Sequence, residues 1–267
     1  MSAFRRYAIV AALVGLTSLA ACGTMPASQP GAAKSPSPAA STPAPATITP
    51  APDPAAALAG APKAFQQPML RLGSRGSAVT SLQQRLIALH YFDVATADGV
   101  FGQDTYHAVI AFQKVQGLTR DGVAGPATWA KLAKPYVPAP RHRMAAASLE
   151  VNLAKQVIYY VRNGTIQRII DASTGSGAWY YSQGRWARAI TPTGRFQIYR
   201  RYSNGWQPGP LGSMYRPNYF YRGYAVHGMT SVPAYPASHG CVRMTVPTMD
   251  RMWSSLRVGM PVAIYNS

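Results

Sequence analysis

The chain has 267 residues, 48% of them hydrophobic, which is enough for two modest domains with cores of their own. Lys and Arg number 26 against 8 Asp and Glu, a formal net charge of +18, while two cysteines leave room for one disulfide at most. The basic excess points to an anionic partner (nucleic acid, a membrane surface or an acidic polymer), and composition alone does not choose among them.

The N-terminus narrows the choice. "MSAFRRYAIVAALVGLTSLAAC" carries Arg5 and Arg6, then an apolar run from Tyr7 to Ala21. A charged stub, a short apolar core and small residues before position 22 read as a bacterial secretory signal over 1–21. A run of about 15 residues is short for a membrane span. Leu19-Ala20-Ala21-Cys22 resembles the lipobox of bacterial lipoproteins. The resemblance implies cleavage before Cys22 and lipid on its thiol, so that the chain is extracytoplasmic, held to the cell-envelope membrane by that lipid and facing the wall. An uncleaved anchor and an ordinary signal cut near Ala21 are the alternatives. All three put the chain outside the cytoplasm and argue against a nucleic-acid partner. Lipidation of Cys22 would leave Cys241 as the sole thiol of the mature chain, so no intramolecular disulfide forms.

Residues 22–66 are dominated by Ala, Pro, Ser and Thr. Such a segment cannot bury a core and favours extended polyproline II, a tether reaching on the order of 100 Å. A first folded block spans 67–135. Val79, Leu82, Leu86 and Leu89 recur at helical spacing. "DGVFGQDT" at 98–105 returns as "DGVAGPAT" at 121–128, and each Asp-Gly turn leads toward a helix: Tyr106, Val109, Ile110 and Phe112 after the first, Trp129 and Leu132 after the second. Three helices with tight turns are predicted. The block resembles the three-helix peptidoglycan-binding domain, matching at Gly76, Val79, Leu82-Gln83, Asp98-Gly99, Thr105, Phe112-Gln113, Asp121-Gly122 and Trp129 among others.

Residues 136–147 form a short second linker, and the block 148–267 is predicted to be mostly β. "QVIYYVRNGTIQRIIDAS" reads as two strands around Asn163-Gly164, a strong hairpin signal. "TPTGRFQIYRRY" reads as turn then strand, "YRGYAVHG" as a strand ending at His227, Pro247 to Leu256 as a short helix, and "GMPVAIY" as a closing strand. The aromatic stretches 177–186 and 206–224 follow no period and read as loops over a cleft, with plain hydrophobic packing as the alternative. The basic excess concentrates here: 14 Arg and one Lys over 141–267 stand against Glu150, Asp171 and Asp250, a net of +12. Arginine suits bidentate capture of carboxylates. His90, His107 and His142 show no partner pattern.

Cysteine attacks as thiolate, and a histidine can take its proton. His227 and His239 are both close in sequence to Cys241. Gly240 allows a sharp turn that would aim backbone N–H groups at an oxyanion, and Arg243 would hold a substrate carboxylate. These residues alone suggest a Cys–His acyl-transfer site, with a buried inert thiol as the alternative. Ser238-His239-Gly240-Cys241-Val242-Arg243-Met244 resembles the catalytic signature of the L,D-transpeptidases with a YkuD-type domain. His227-Gly228, Thr191-Pro192-Thr193-Gly194, "LEVNLAKQVIYYVRNG" and "VGMPVAIY" extend the match over the block.

The resemblance implies an α+β multidomain chain, a small three-helix module followed by a mostly β catalytic domain. It implies Cys241 as nucleophile, His227 as general base, the Gly228 carbonyl as the group orienting that base, His239 and Gly240 as the oxyanion loop, and Ser238 and Arg243 as substrate-binding residues. It implies peptidoglycan stem peptides as partners, with no cofactor and no metal. Cys241 would attack a tetrapeptide stem, release D-Ala and pass the acyl group to a second stem in a 3→3 cross-link. Water or a protein amine as acceptor, and a non-catalytic wall-binding lipoprotein, are the alternatives. In a wall endopeptidase of the NlpC/P60 class the cysteine precedes the histidine; here His227 comes first. Two departures stand out, and neither removes a catalytic group: only ten residues separate His227 from Ser238, which is expected to alter the acceptor side or the lid, and Gly follows the base, which is expected to be neutral.

Overall fold

The structure, a computed structural model, describes residues 67–142 and 146–267. The expected signal over 1–21, Cys22 and the Pro/Ala-rich stretch to 66 lie outside the described residues. The remainder has an α+β architecture: a helical module, then a mostly β domain.

The helical module holds α1 (Ser77–Ala88), α2 (Gln103–Gln116) and α3 (Pro126–Ala133). Val79, Leu82 and Leu86 of α1 are buried against Phe101, Val109 and Phe112, so the 3.6-residue stripe becomes a core. The internal echo has a physical cause in two buried glutamines. Gln83 Nε2 donates to Asp98 Oδ1 (2.7 Å), the Val100 carbonyl (3.0 Å) and Thr105 Oγ1 (2.9 Å), and its oxygen accepts from the Gly99 N–H. Gln113 repeats the pattern with Asp121 (2.7 Å), the Val123 carbonyl (3.0 Å), Thr128 (3.3 Å) and the Gly122 N–H. Each helix therefore grips the Asp-Gly turn that follows it through one amide whose polar atoms are satisfied.

The β domain contains β1 (Ala147–Asn152), β2 (Val157–Arg162), β3 (Thr165–Asp171), β4 (Trp179–Ser182), β5 (Arg185–Arg188), β6 (Gly194–Gln197), β7 (Arg200–Arg201), β8 (Trp206–Gln207), β9 (Met214–Tyr221), β10 (Tyr224–Met229), β11 (Val242–Thr245) and β12 (Pro261–Tyr265). A helix, α4 (Val246–Met252), follows β11. One sheet runs β3-β2-β1-β12-β6; a second runs β11-β10-β9-β7, with β8 also on β9. Between the sheets lie Leu149, Ile158, Phe220, Val226, Val242, Met244 and Val262, closed by Met249 and Met252 of α4.

Asn163 and Gly164 both have positive φ (50° and 73°), the paired left-handed turn that matches strand twist between β2 and β3. The strand β2 is buried on both faces. Its even residues, Ile158 and Tyr160, face the sandwich, and Val157, Tyr159 and Val161 join the core of the helical module. This is why "VIYYV" shows no polar alternation. The start of 136–147 is tied back, since Tyr136 exchanges backbone hydrogen bonds with the Gln116 side chain. Its later part caps Glu150 through the N–H groups of Arg141 and His142 (2.8 and 2.9 Å).

Three expectations are corrected. The strand through His227 continues to Met229. Residues 206–224 are largely strand, as β8, β9 and the start of β10. Residues 179–188 form the hairpin β4–β5 around Gln183-Gly184, both at positive φ. Aromatic side chains on both of its faces hid the two-residue period: Tyr180 turns inward, whereas Trp179, Tyr181 and Trp186 stay 61–66% exposed.

Candidate active site

Parallel pairing of β10 with β11 builds the site. Val226 lies opposite Val242 and His227 opposite Arg243. The two valines are buried in the sandwich core, so side-chain alternation sends His227 and Arg243 to the other face. Cys241, one residue before β11, shares that face. His227, Ser238, His239, Cys241 and Arg243 all line one pocket of about 350 Å³. Its roof is the β4–β5 hairpin, through Tyr180, Ser182, Arg185 and Ala187. Among the described residues Arg185, Arg222 and Arg243 line it and no carboxylate does, so its charge is positive.

The imidazole of His227 is buried, with Nδ1 2.9 Å from the Gly228 carbonyl. A carbonyl only accepts, so Nδ1 carries the hydrogen and Nε2 is left with its lone pair. Burial lowers the pKa of His227 to about 4; the hydrogen bond to Gly228 opposes that shift and the Arg243 charge adds to it. Glycine at 228 also has a steric reason, because a Cβ there would lie 3.0 Å from the Tyr215 ring and 3.1 Å from Met249 Cβ. Burial pushes the Cys241 thiol up, against a backbone hydrogen bond from Ala225 and the Arg243 charge. At neutral pH the thiol and the imidazole that line this pocket are thus both neutral, and the thiol's own contacts are Met214 Sδ and the Gly223 carbonyl, each at 3.9 Å.

The loop before Cys241 is fixed by side chains. Ser238 Oγ accepts from the Gly240 N–H (2.9 Å) and donates to the Cys241 carbonyl (2.5 Å). Thr191 Oγ1 donates to the Gly240 carbonyl (2.8 Å) and accepts from the Gly175 N–H (2.8 Å). The hydroxyl of Ser238 and the N–H of Gly240 therefore close the loop on itself while Ser238 still lines the pocket, and Gly240 supplies a φ of +130°. The His239 ring is exposed and meets Tyr180 of the hairpin edge-on at 4.8 Å. Arg243 has a buried Nε with no hydrogen-bond partner among the described residues. A guanidinium in that state suits a carboxylate.

The role of Thr191 is not visible in the sequence, although the residue lies in the Thr-Pro-Thr-Gly stretch. Nor is the partner of His107, whose Nδ1 is 2.7 Å from Asp171 across 64 positions. Such separations leave no local signal.

Two family profiles match the chain: a peptidoglycan binding domain over residues 75–132 and the L,D-transpeptidase catalytic domain, YkuD, over 146–264. The crystal structure of an L,D-transpeptidase (residues 123–326) from Xylanimonas cellulosilytica is 46% identical, with a TM-score of 0.70, and the match covers 76% of this chain and 100% of that one. The spore cortex-lytic enzyme of Oceanobacillus iheyensis is 33% identical over 114 residues, 43% of this chain and 38% of that protein. The N-acetylmuramoyl-L-alanine amidase CwlL of Bacillus licheniformis is 44% identical over 66 residues, 24% of this chain and 18% of that protein. The chain spans 18–56% of the length of such curated relatives. Full coverage of the Xylanimonas chain at that identity shows the family: this chain belongs to the L,D-transpeptidases with a YkuD catalytic domain, and it carries a peptidoglycan-binding module ahead of it.

Proposed function

We propose that the protein is a cell-wall L,D-transpeptidase that forms 3→3 cross-links between peptidoglycan stem peptides through a thioester on Cys241. One observation carries this reading: the thiol and a histidine with a free Nε2 share a pocket whose charged lining is entirely arginine. Nε2 of His227 takes the thiol proton as sulfur attacks the carbonyl between the diamino acid's L-centre and the terminal D-Ala. The carbon–nitrogen bond breaks, and the same proton passes to the departing amine of D-Ala. An amine from a second stem then attacks the thioester, loses its proton to His227, and the thiol re-forms. Arg243, with its unpartnered Nε, receives a carboxylate of the donor.

The test is mass spectrometry of the purified protein with a carbapenem, a strained β-lactam that a thiol opens to a thioester, alongside product analysis with a tetrapeptide donor. The expected result is one adduct and release of D-Ala, both absent from Cys241→Ala. No adduct on the wild type, or an equal one on Cys241→Ala, overturns the reading. The products also distinguish an amine acceptor from water.

We further propose that the protein is exported and lipidated at Cys22, with residues 23–66 as the tether from membrane to wall. Cys22→Ala is expected to move the protein from the membrane fraction to the soluble fraction on cell fractionation. Retention in the membrane would refute lipid anchoring.

A further inference from the structure

The only lysine on α2, Lys114, has a fully buried side chain whose ammonium makes no hydrogen bond within its own module among the described residues. Its ammonium donates to Asp171 Oδ1 (2.5 Å), the Ala172 carbonyl (2.8 Å) and the Gln156 carbonyl (3.1 Å), all in the β domain. Three donors meet three acceptors, so the group is satisfied in one geometry only. The second oxygen of Asp171 is held by His107, also on α2.

Asp171 ends β3, and the residues just after it form the strap on which the cysteine loop is docked. Ser173 and Arg243 exchange backbone hydrogen bonds in both directions (3.1 and 2.9 Å). The Thr174 carbonyl accepts from the N–H groups of Ala237 (3.0 Å) and Ser238 (2.9 Å), and the Ser176 N–H donates to the Ser238 carbonyl (2.9 Å). Gln156 clamps Thr174 from both sides, at 2.8 Å to its N–H and 2.7 Å to its hydroxyl, while its own carbonyl is bound by Lys114. The strap 171–176 is thus fixed at one end by an ammonium from the helical module, and along its length it carries the segment 237–243.

We propose that Lys114 is a positioning residue for the reaction: from the peptidoglycan-binding module it sets the strap that holds the Cys241 loop, so the module serves the active site as well as the wall. This rests on the transpeptidase reading above. Small displacements of a nucleophile are costly, with about 1 Å able to cost about 100-fold in rate. A second ionic contact between module and domain provides the control. Arg251 of α4 bridges Asp93 and Asp104 (2.9 and 2.8 Å) without touching the strap.

The experiment uses the full chain and reads three quantities: the rate of carbapenem acylation, thermal melting, and amide hydrogen exchange over 171–176 and 237–243. Lys114→Met alone strands a buried carboxylate and risks unfolding. Lys114→Met with Asp171→Leu replaces the pair by apolar groups, which buried ion pairs commonly tolerate. The expected result for the double variant is a folded protein whose acylation is at least tenfold slower and whose exchange is faster in both segments. Arg251→Gln is expected to lower the melting temperature and leave acylation within about twofold. Acylation of the double variant at the wild-type rate, slow acylation with unchanged exchange, or equal slowing in Arg251→Gln would each overturn the inference. If the wild type itself fails to acylate, the transpeptidase reading fails instead.

Discussion

Replacing His227 by Gln is expected to slow carbapenem acylation about 1000-fold at pH 7 and to change the shape of its pH profile. In the wild type the base is an imidazole held neutral by burial, with a pKa of about 4. Protonation disables it only as pH falls through that value, so the acid limb is expected near pH 4 and not near the ordinary histidine value of about 6.5. Above the limb the rate is nearly level, because the thiol gives up its proton during attack. In His227→Gln no base remains, and attack depends on thiolate already formed. Burial raises the thiol's pKa, so the thiolate fraction is small at neutral pH and grows about tenfold per pH unit. The variant should therefore recover steadily with rising pH. Stopped-flow acylation between about pH 3 and 9 checks both statements. A variant that keeps the level wild-type profile would assign the proton to another group, with His239 the first to examine.

Gly240→Ala is expected to lower acylation at least about 100-fold while leaving a folded protein. At φ +130° an L side chain is strained, at a cost of about 1–3 kcal/mol. Space is absent as well: a Cβ would lie 2.4 Å from the Tyr224 ring and 2.8 Å from the Ile190 carbonyl. The ring can turn but the carbonyl belongs to the backbone, so the loop must shift, and Cys241 is the next residue. Thr191 and Ser238 would then lose their alignment on the Gly240 carbonyl and N–H. Alkylation by iodoacetamide, which needs no positioning, is expected to persist within about threefold. Retention of wild-type carbapenem acylation would show that the loop tolerates a side chain and that its conformation does not govern the thiol.

The parts of this protein that were legible residue by residue rest on local physics. The stripe Val79, Leu82, Leu86 specifies a helix face wherever the helix docks, and Asn163-Gly164 specifies its turn because few residue pairs accept two positive φ angles. Cys241 and His227 were visible as candidates because scarce reactive residues sat in a recognisable string. The hairpin over the pocket was not, since Trp179, Tyr180 and Tyr181 place aromatics on both faces and erase the alternation that marks a strand.

By itself the sequence determined the order of modules, the reactive residue types and their spacing, for these depend only on neighbours along the chain. Tertiary structure alone decided that one histidine of the thiol's pocket, His227, is buried with Nδ1 on the Gly228 carbonyl, through parallel pairing of β10 with β11, while His239 stays exposed. It showed that Ser238 and Thr191 close the loop around Gly240, because hydrogen-bond partners are assigned by three-dimensional proximity. It also joined Lys114 to Asp171 across 57 positions. A buried ammonium needs acceptors from several segments at once, and no linear pattern records where they will meet.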